Sequence, residues 1–238
     1  MKDVEPLVLV PGLMCDEAVW RHQLESLGGT RSVQVAVHGM SDTLGVMAER
    51  ILDTAAPRFA LAGHSMGGRV ALEVMARAPE RVTRLALLDT GYEASAPGEA
   101  GERERAGRYR LLAIAQREGM LAMARDWARG MVHPARLDDT ALMDDIHAMI
   151  SRATPAQFEA QIRALLARPD RTQLLGELRL PTLVLCGHED SWSPLARHQE
   201  MARRIAGSHL VDVPASGHMS TMERPALVSA ALHQWLDF

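Results

Sequence analysis

Residues 59–75 constrain the fold more than any other stretch. Phe59-Ala60-Leu61-Ala62 is a short apolar run that leads straight into Gly63-His64-Ser65-Met66-Gly67-Gly68, and Arg69-Val70-Ala71-Leu72-Glu73-Val74-Met75 leads straight out with helical periodicity. A strand that becomes a helix within so few residues must turn sharply. Glycine at 63 and 67 removes the side chains that would clash inside the turn. Such a joint belongs to a sheet with helices packed on its faces.

The surrounding sequence repeats the alternation. Strands are expected at Leu7–Val10, Ser32–Val37, Phe59–Ala62 and Val82–Leu88, with helices at Glu17–Leu27, Thr43–Ala55 and Met66–Ala78. From about Gly91 to Leu175 no strand is expected. The charged run Glu99–Arg110 is followed by helical patterns at Leu111–Glu118, Met120–Met131, Asp138–Ala153 and Pro155–Ala167. Alternation returns with strands at Thr182–Cys186 and His209–Val213 and helices at Pro194–Ile205 and Pro225–Leu236. The fold class is therefore α/β, a mostly parallel sheet with helices on both faces. Residues 1–90 and 176–238 form the core, and 91–175 form a helical cap inserted within that one domain, over the carboxyl edge of the sheet where open α/β sheets bind ligands.

Gly63–Gly67 matches G-x-S-x-G, and its strand-before, helix-after context gives the match its weight. A serine on this turn is lifted above the sheet, at the start of a helix whose dipole favours developing negative charge. Ser65 is the candidate nucleophile, and the backbone N–H of Met66 is a candidate oxyanion donor. His64 is expected to point away from the substrate side.

A serine nucleophile needs a base, and the base needs an orienting group. In this type of joint the chain order is serine, acid, histidine. His218, in Pro214-Ala215-Ser216-Gly217-His218-Met219, follows the last strand and a glycine turn; His209 starts that strand and His233 lies within the last helix. Asp190, in Gly187-His188-Glu189-Asp190-Ser191-Trp192-Ser193-Pro194, follows the strand Thr182–Cys186 and is the preferred acid. Asp89, at the end of the fourth strand, is the second candidate.

Through Gly63–Gly68, Gly187–Pro194 and Ser216–Pro225, taken in this order, the chain resembles the α/β-hydrolase family, in particular its small capped esterase-like members. The resemblance covers nearly the whole chain. It implies a Ser65–His218–Asp190 triad and a sheet shortened to about six strands, because the sequence opens almost directly at Leu7–Val10 where many members carry two earlier strands. Such hydrolases usually place His-Gly after the first parallel strand. Here Pro11-Gly12 stands there, and the resemblance implies the backbone N–H of Leu13 as the second oxyanion donor.

Composition bounds the partners. With 26 basic and 30 acidic residues the net charge is −4, which gives no strong pull toward nucleic acid or anionic membrane. No run approaches the roughly 18 apolar residues of a membrane span, and Met1–Pro6 lacks the features of a signal peptide, so a cytoplasmic location is the expectation. Cys15 and Cys186 are expected as small buried hydrophobes. No metal or organic cofactor is required by the proposed chemistry, the expected partner is a small-molecule ester, and association as a homodimer is left open.

Met120, Met123, Met131, Met143 and Met149, with Tyr109 and Trp127, read first as helix core and second as a pliable apolar wall. Trp192 and Met219, beside the acid and base, are the better pocket candidates, with Met123 and Trp127 as further ones. The charged run Glu99–Arg105 is expected to be a solvated helix face. The expected reaction is hydrolysis of a small to medium apolar carboxylic ester. Rivals are thioester, lactone or carbon–carbon cleavage with the same groups, and a hydrolase-like receptor with little turnover.

Overall fold

The computed structural model describes residues 4–237, so Met1–Asp3 of the amino-terminal segment read above lie outside the described residues. Six parallel strands, β1 (Leu7–Val10), β2 (Val33–Val35), β3 (Phe59–His64), β4 (Val82–Leu88), β5 (Thr182–Gly187) and β6 (His209–Val213), form one sheet in the order β2-β1-β3-β4-β5-β6. The chain adds β2 on one side of β1 and then crosses to place β3 on the other. This reversal opens a crevice between the carboxyl ends of β1 and β3, the place where such sheets bind ligands.

Every residue of β1, β3 and β5 is buried, as expected where helices cover both faces of a sheet. Those helices are α1 (Arg21–Leu27), α2 (Leu44–Thr54), α3 (Met66–Arg77) and, after the insertion, α9 (Leu195–Arg204), α10 (Ser220–Glu223) and α11 (Pro225–Asp237). Trp20, Phe59, Leu72 and Trp235 are among the largest fully buried side chains of the core. Glu17–Trp20, expected as the start of a helix, is a separate 3-10 turn capped by Asp16, whose Oδ1 accepts from the N–H of Ala18 at 2.9 Å.

Between β4 and β5 the described chain holds only helices: α4 (Gly98–Glu118), α5 (Met120–Ala128), α6 (Thr140–Ser151), α7 (Pro155–Leu166) and α8 (Thr172–Glu177), with a 3-10 turn at Pro134–Arg136. The charged run and Leu111–Glu118 are one continuous helix, and α8 has no counterpart in the sequence reading. Gly119, with φ of 89°, breaks α4 from α5. Thr154 and Gln157 form a reciprocal capping box at the start of α7. No described helix is long and apolar enough to cross a membrane.

The solvated-face reading of Glu99–Arg105 needs correction at one residue. Glu104 is half-buried and accepts from Arg108 at 2.8 Å and from Arg168 at 2.7 Å. The apolar periodicity of α4 is weak at this end, so the sequence offered no sign of this inward ion pair.

Candidate active site

The turn after β3 is held from several sides. Val10 pairs with Gly63, which brings Pro11–Leu13 alongside the turn. A Cβ at Gly67 would lie 2.0 Å from the carbonyl oxygen of Val10, and one at Gly63 would lie 2.3 Å from that of Gly67. Only glycine fits either place. Ser65 adopts φ 55° and ψ −118°, a conformation that costs a non-glycine residue on the order of 1–3 kcal/mol. Surrounding bonds impose it: the Ser65 N–H donates to Leu88 O at 2.9 Å, and its carbonyl accepts from Thr90 Oγ1 at 2.6 Å and from the Gly68 N–H at 3.0 Å.

The three residues singled out by order along the chain meet in space. The Ser65 hydroxyl donates to Nε2 of His218 at 2.7 Å, and Nδ1–H of His218 donates to Asp190 Oδ2 at 2.8 Å. The other carboxylate oxygen, Oδ1, accepts from the N–H groups of Trp192 and Ser193, both at 2.9 Å. Burial opposes a charged carboxylate at Asp190, but His218 and the two N–H donors outweigh it and hold the group below its ordinary range. At His218, burial disfavours the charged ring, while the Asp190 charge and hydrogen bond raise its pKa on balance above the ordinary imidazole value.

Asp89 takes a different place. Its side chain is fully buried, accepts from the Gly187 N–H at 2.8 Å and pairs with the Ser220 hydroxyl. Burial and the nearby Asp190 push its carboxyl upward. Donor atoms of Asp89, Cys186 and Asp190 lie within 4.8 Å of one another. The hydrogen bonds just described already account for the carboxylates of that group.

His64 departs from expectation. Its ring does not point away from the site but is buried against His218, with ring centroids 5.5 Å apart, and donates from Nε2 to the His218 carbonyl at 2.8 Å. Burial, then His218, push it down to about 3, so the ring is neutral. The Pro11-Gly12 loop is held by groups far away in sequence. Nε2–H of His38 donates to Pro11 O at 2.8 Å, and Gln161 of α7 accepts from the Met14 N–H at 3.0 Å. A Cβ at Gly12 would lie 3.1 Å from that of Ser65. Among the described residues no protein acceptor engages the N–H of Leu13 or of Met66.

A cavity of about 920 Å³ opens at Ser65 and His218. Leu13, Met66, Trp127, Trp192 and Met219 line it, together with Phe158. Trp127 stacks on Trp192 at 5.6 Å between centroids, and Trp192 lies 5.0 Å from the His218 ring. Met123 is fully buried inside the insertion and is not among the lining residues, because its position on α5 faces the helical core. Of the five methionines in the insertion, Met131 alone reaches the cavity. Cys15 is half-buried at the cavity's edge, whereas Cys186 is buried as expected.

The sequence reading missed the far side of this cavity. Six arginines and three carboxylates line it. Arg108 and Arg168 share Glu104, and Arg197 lies 3.4 Å from Glu93. Among the described residues Arg69 forms no ion pair, and its one hydrogen bond runs to the Glu93 carbonyl at 2.7 Å. Burial, then Arg168 and Arg197, press its guanidinium pKa downward, and the nearby Glu104 only partly offsets them. One signal was available: Arg69 lies in the first turn of α3, directly after Ser65, which places it near the mouth of the turn. The other arginines come from segments whose meeting no spacing reveals.

The chain is similar to known proteins in sequence and in fold. The chain is 30% identical over 213 residues, 87% of its length and 79% of the relative's, to the 2-succinyl-6-hydroxy-2,4-cyclohexadiene-1-carboxylate synthase of Escherichia coli O81 (strain ED1a). A thermophilic esterase from Thermogutta terrifontis superposes with a TM-score of 0.86 at 29% identity, covering 98% of this chain and 89% of that one. The enol-lactonase from Burkholderia xenovorans LB400 shares the fold with a TM-score of 0.84 at 22% identity, over 99% and 91% of the two chains. The profile of the Alpha/beta hydrolase family matches residues 7–231. With the six-stranded parallel sheet and the turn at Ser65, that match places the chain in the α/β-hydrolase family.

Proposed function

We propose that the chain is a serine hydrolase that cleaves a carboxylic ester, with Ser65 as nucleophile, His218 as general base and Asp190 as its orienting acid. The observation that carries this reading is the unbroken hydrogen-bonded chain from Ser65 through His218 to Asp190, mounted on a strained turn at a helix start. His218 takes the Ser65 proton as the oxygen attacks the carbonyl carbon. The N–H groups of Leu13 and Met66 receive the developing oxyanion. The imidazolium, stabilised by Asp190, passes its proton to the leaving alcohol. Water, deprotonated by the same ring, then attacks the acyl-enzyme, and Ser65 regains its proton as the acid departs.

Two features of the cavity favour a carboxylate-bearing substrate over a wholly apolar ester. Its wall beside His218 is aromatic, which suits an apolar group, while Arg69 supplies a positive charge farther along. An ester that carries a carboxylate at its far end matches both features; a wholly apolar one leaves Arg69 unanswered. Arg69 also favours a second reading, in which the same groups act on a carbon–carbon bond of a carboxylate-bearing substrate. The product named for the Escherichia coli relative likewise bears a carboxylate.

The test compares p-nitrophenyl butyrate with the mono-p-nitrophenyl ester of glutaric acid. Higher kcat/KM for the glutarate ester, lost in Arg69→Met, supports the carboxylate-bearing ester. Preference for butyrate would restore the apolar substrate. No turnover of either by an enzyme that binds glutarate would move the reading to the carbon–carbon reaction.

A further inference from the structure

Glu223, at the end of α10, is 2% exposed, and no ion pair reaches its carboxylate among the described residues. Its two oxygens are instead spent on two backbone groups in different parts of the fold. Oε1 accepts from the Gly217 N–H at 2.8 Å, and Oε2 accepts from the His133 N–H at 2.7 Å. Gly217 immediately precedes His218. His133 belongs to the helical insertion, just beyond Met131 of the cavity wall. A carboxylate buried without a salt bridge is costly to keep charged, and a glutamate that serves only as filler would not need both oxygens matched to N–H donors.

The two bridged segments lie backbone to backbone. The His218 N–H donates to Met131 O at 2.7 Å. A Cβ at Gly217 would come within 2.7 Å of the Val132 carbonyl carbon and 2.8 Å of the His133 nitrogen. Arg136 of the insertion donates to the Glu223 carbonyl at 2.8 Å, which ties the same two regions again. His218 is thus held at its ring by Asp190, at its carbonyl by His64, and at its N–H by the insertion.

We propose that Glu223 is a positioning residue that fastens the His218 loop to the Met131–His133 segment of the insertion, so that the placement of the base and of one cavity wall are set together. Without the carboxylate, two buried N–H groups lack acceptors, and the loop is free to settle at a different distance from Ser65. A shift of about 1 Å between base and nucleophile costs on the order of 10²-fold in rate. In consequence the insertion cannot lift at Met131–His133 without drawing His218 with it. The proposal rests on His218 being the base.

The test uses Glu223→Gln and His133→Pro. Glutamine keeps the size but presents an amide N–H to one of the two N–H groups. Proline removes the His133 N–H at a residue whose φ of −55° already suits it, and His133→Ala, which loses the ring that accepts from the Ala135 N–H but keeps the backbone N–H, is its control. Each variant is checked for folding by thermal melting. The readouts are kcat and KM on the better ester, the rate at which a fluorophosphonate labels Ser65, and the His218 ring titration followed by NMR. The expected result is a fall in kcat and labelling rate of about 10- to 100-fold with KM nearly unchanged, and a His218 midpoint displaced from the wild type. If Glu223→Gln does not fold, His133→Pro decides. Folded variants with wild-type kcat, labelling and His218 titration would overturn the proposal. Should the wild type neither turn over esters nor accept the phosphonate, the hydrolase reading falls, and the His218 titration of His133→Pro, which keeps the Glu223 carboxylate and its charge, measured against His133→Ala, still decides the role of Glu223.

Discussion

The edge of the sheet and the helical insertion meet at one cavity but are built by different rules. At the edge, each functional group is delivered by the loop after a strand: Leu13 after β1, Ser65 after β3, Asp190 after β5 and His218 after β6. Backbone hydrogen bonds and close glycine contacts fix each loop, so its position follows from local sequence. In the insertion and at the far wall, the groups are long arginine side chains. They come from α3, α4, α9 and the segment after α7; Arg108 meets Glu104 along α4, but Arg168 and Arg197 find their partners only through tertiary packing. The first region sets what chemistry is available. The second sets what is brought to it.

Substitutions should separate the two regions. The largest effect belongs to the edge. Asp190→Asn should lower kcat about 10⁴-fold, whereas Asp89→Asn should cost less than about tenfold, since Asp89 serves Gly187 and Ser220 rather than the base. Steady-state kinetics of the two variants measure this directly; equal losses would show that the acid had been misassigned. In the proposed reaction the neutral His218 ring is the base, so activity should fall as pH drops through its raised pKa. The acid limb should therefore lie above the ordinary imidazole value in the wild type and move to lower pH in Asp190→Asn. An unmoved limb would detach it from His218.

Gly67→Ala comes next, because its new Cβ would meet backbone oxygen at 2.0 Å rather than a side chain that can move. Urea unfolding should register a loss of about 3 kcal/mol or more, or the protein should fail to fold. A mild effect would mean that the turn is less tightly held than its contacts indicate.

The insertion side should respond in specificity and stability, with smaller magnitude. Arg69→Met should raise KM for a carboxylate-bearing ester by roughly 10- to 100-fold, as expected for loss of one charged hydrogen bond, and leave the neutral ester within about twofold. Equal losses on both esters would make Arg69 structural. Glu104→Gln should cost only about 1 kcal/mol, since the ion pairs are partly solvated. Glu104 is held down to about 2 from 4.5 by Arg168 and Arg108 against the opposing effect of burial. Its contribution to stability is complete above pH 4.5 and is lost as pH falls toward about 2. Melting temperatures across that window should converge for wild type and variant at the acid end.

The same division explains what was legible in the sequence. Strand order, the turn at Gly63–Gly67 and the placement of Ser65, Asp190 and His218 all follow from short-range pattern: apolar runs, glycine positions and the loops that end strands. Trp192 and Met219 were readable as neighbours of the acid and base. Met123 was not separable from Met131, because helical spacing gives a face and not the partner that face meets. His38 and Gln161, which hold the Pro11-Gly12 loop, act across 27 and 147 residues of sequence, and Glu223 reaches 90 residues back to His133. His64 lies inside the motif, yet its bond to the His218 carbonyl depends on a segment that arrives 154 residues later.

The central claim is that Ser65 is the nucleophile of a covalent reaction. The most direct measurement treats wild type and Ser65→Ala with a fluorophosphonate, maps the adduct by mass spectrometry, and follows p-nitrophenol release in parallel. A single adduct on the peptide bearing Ser65, together with at least about a 10⁴-fold loss of turnover in a folded Ser65→Ala, is the predicted result. Turnover that survives in Ser65→Ala, or an adduct placed on another residue, would contradict it.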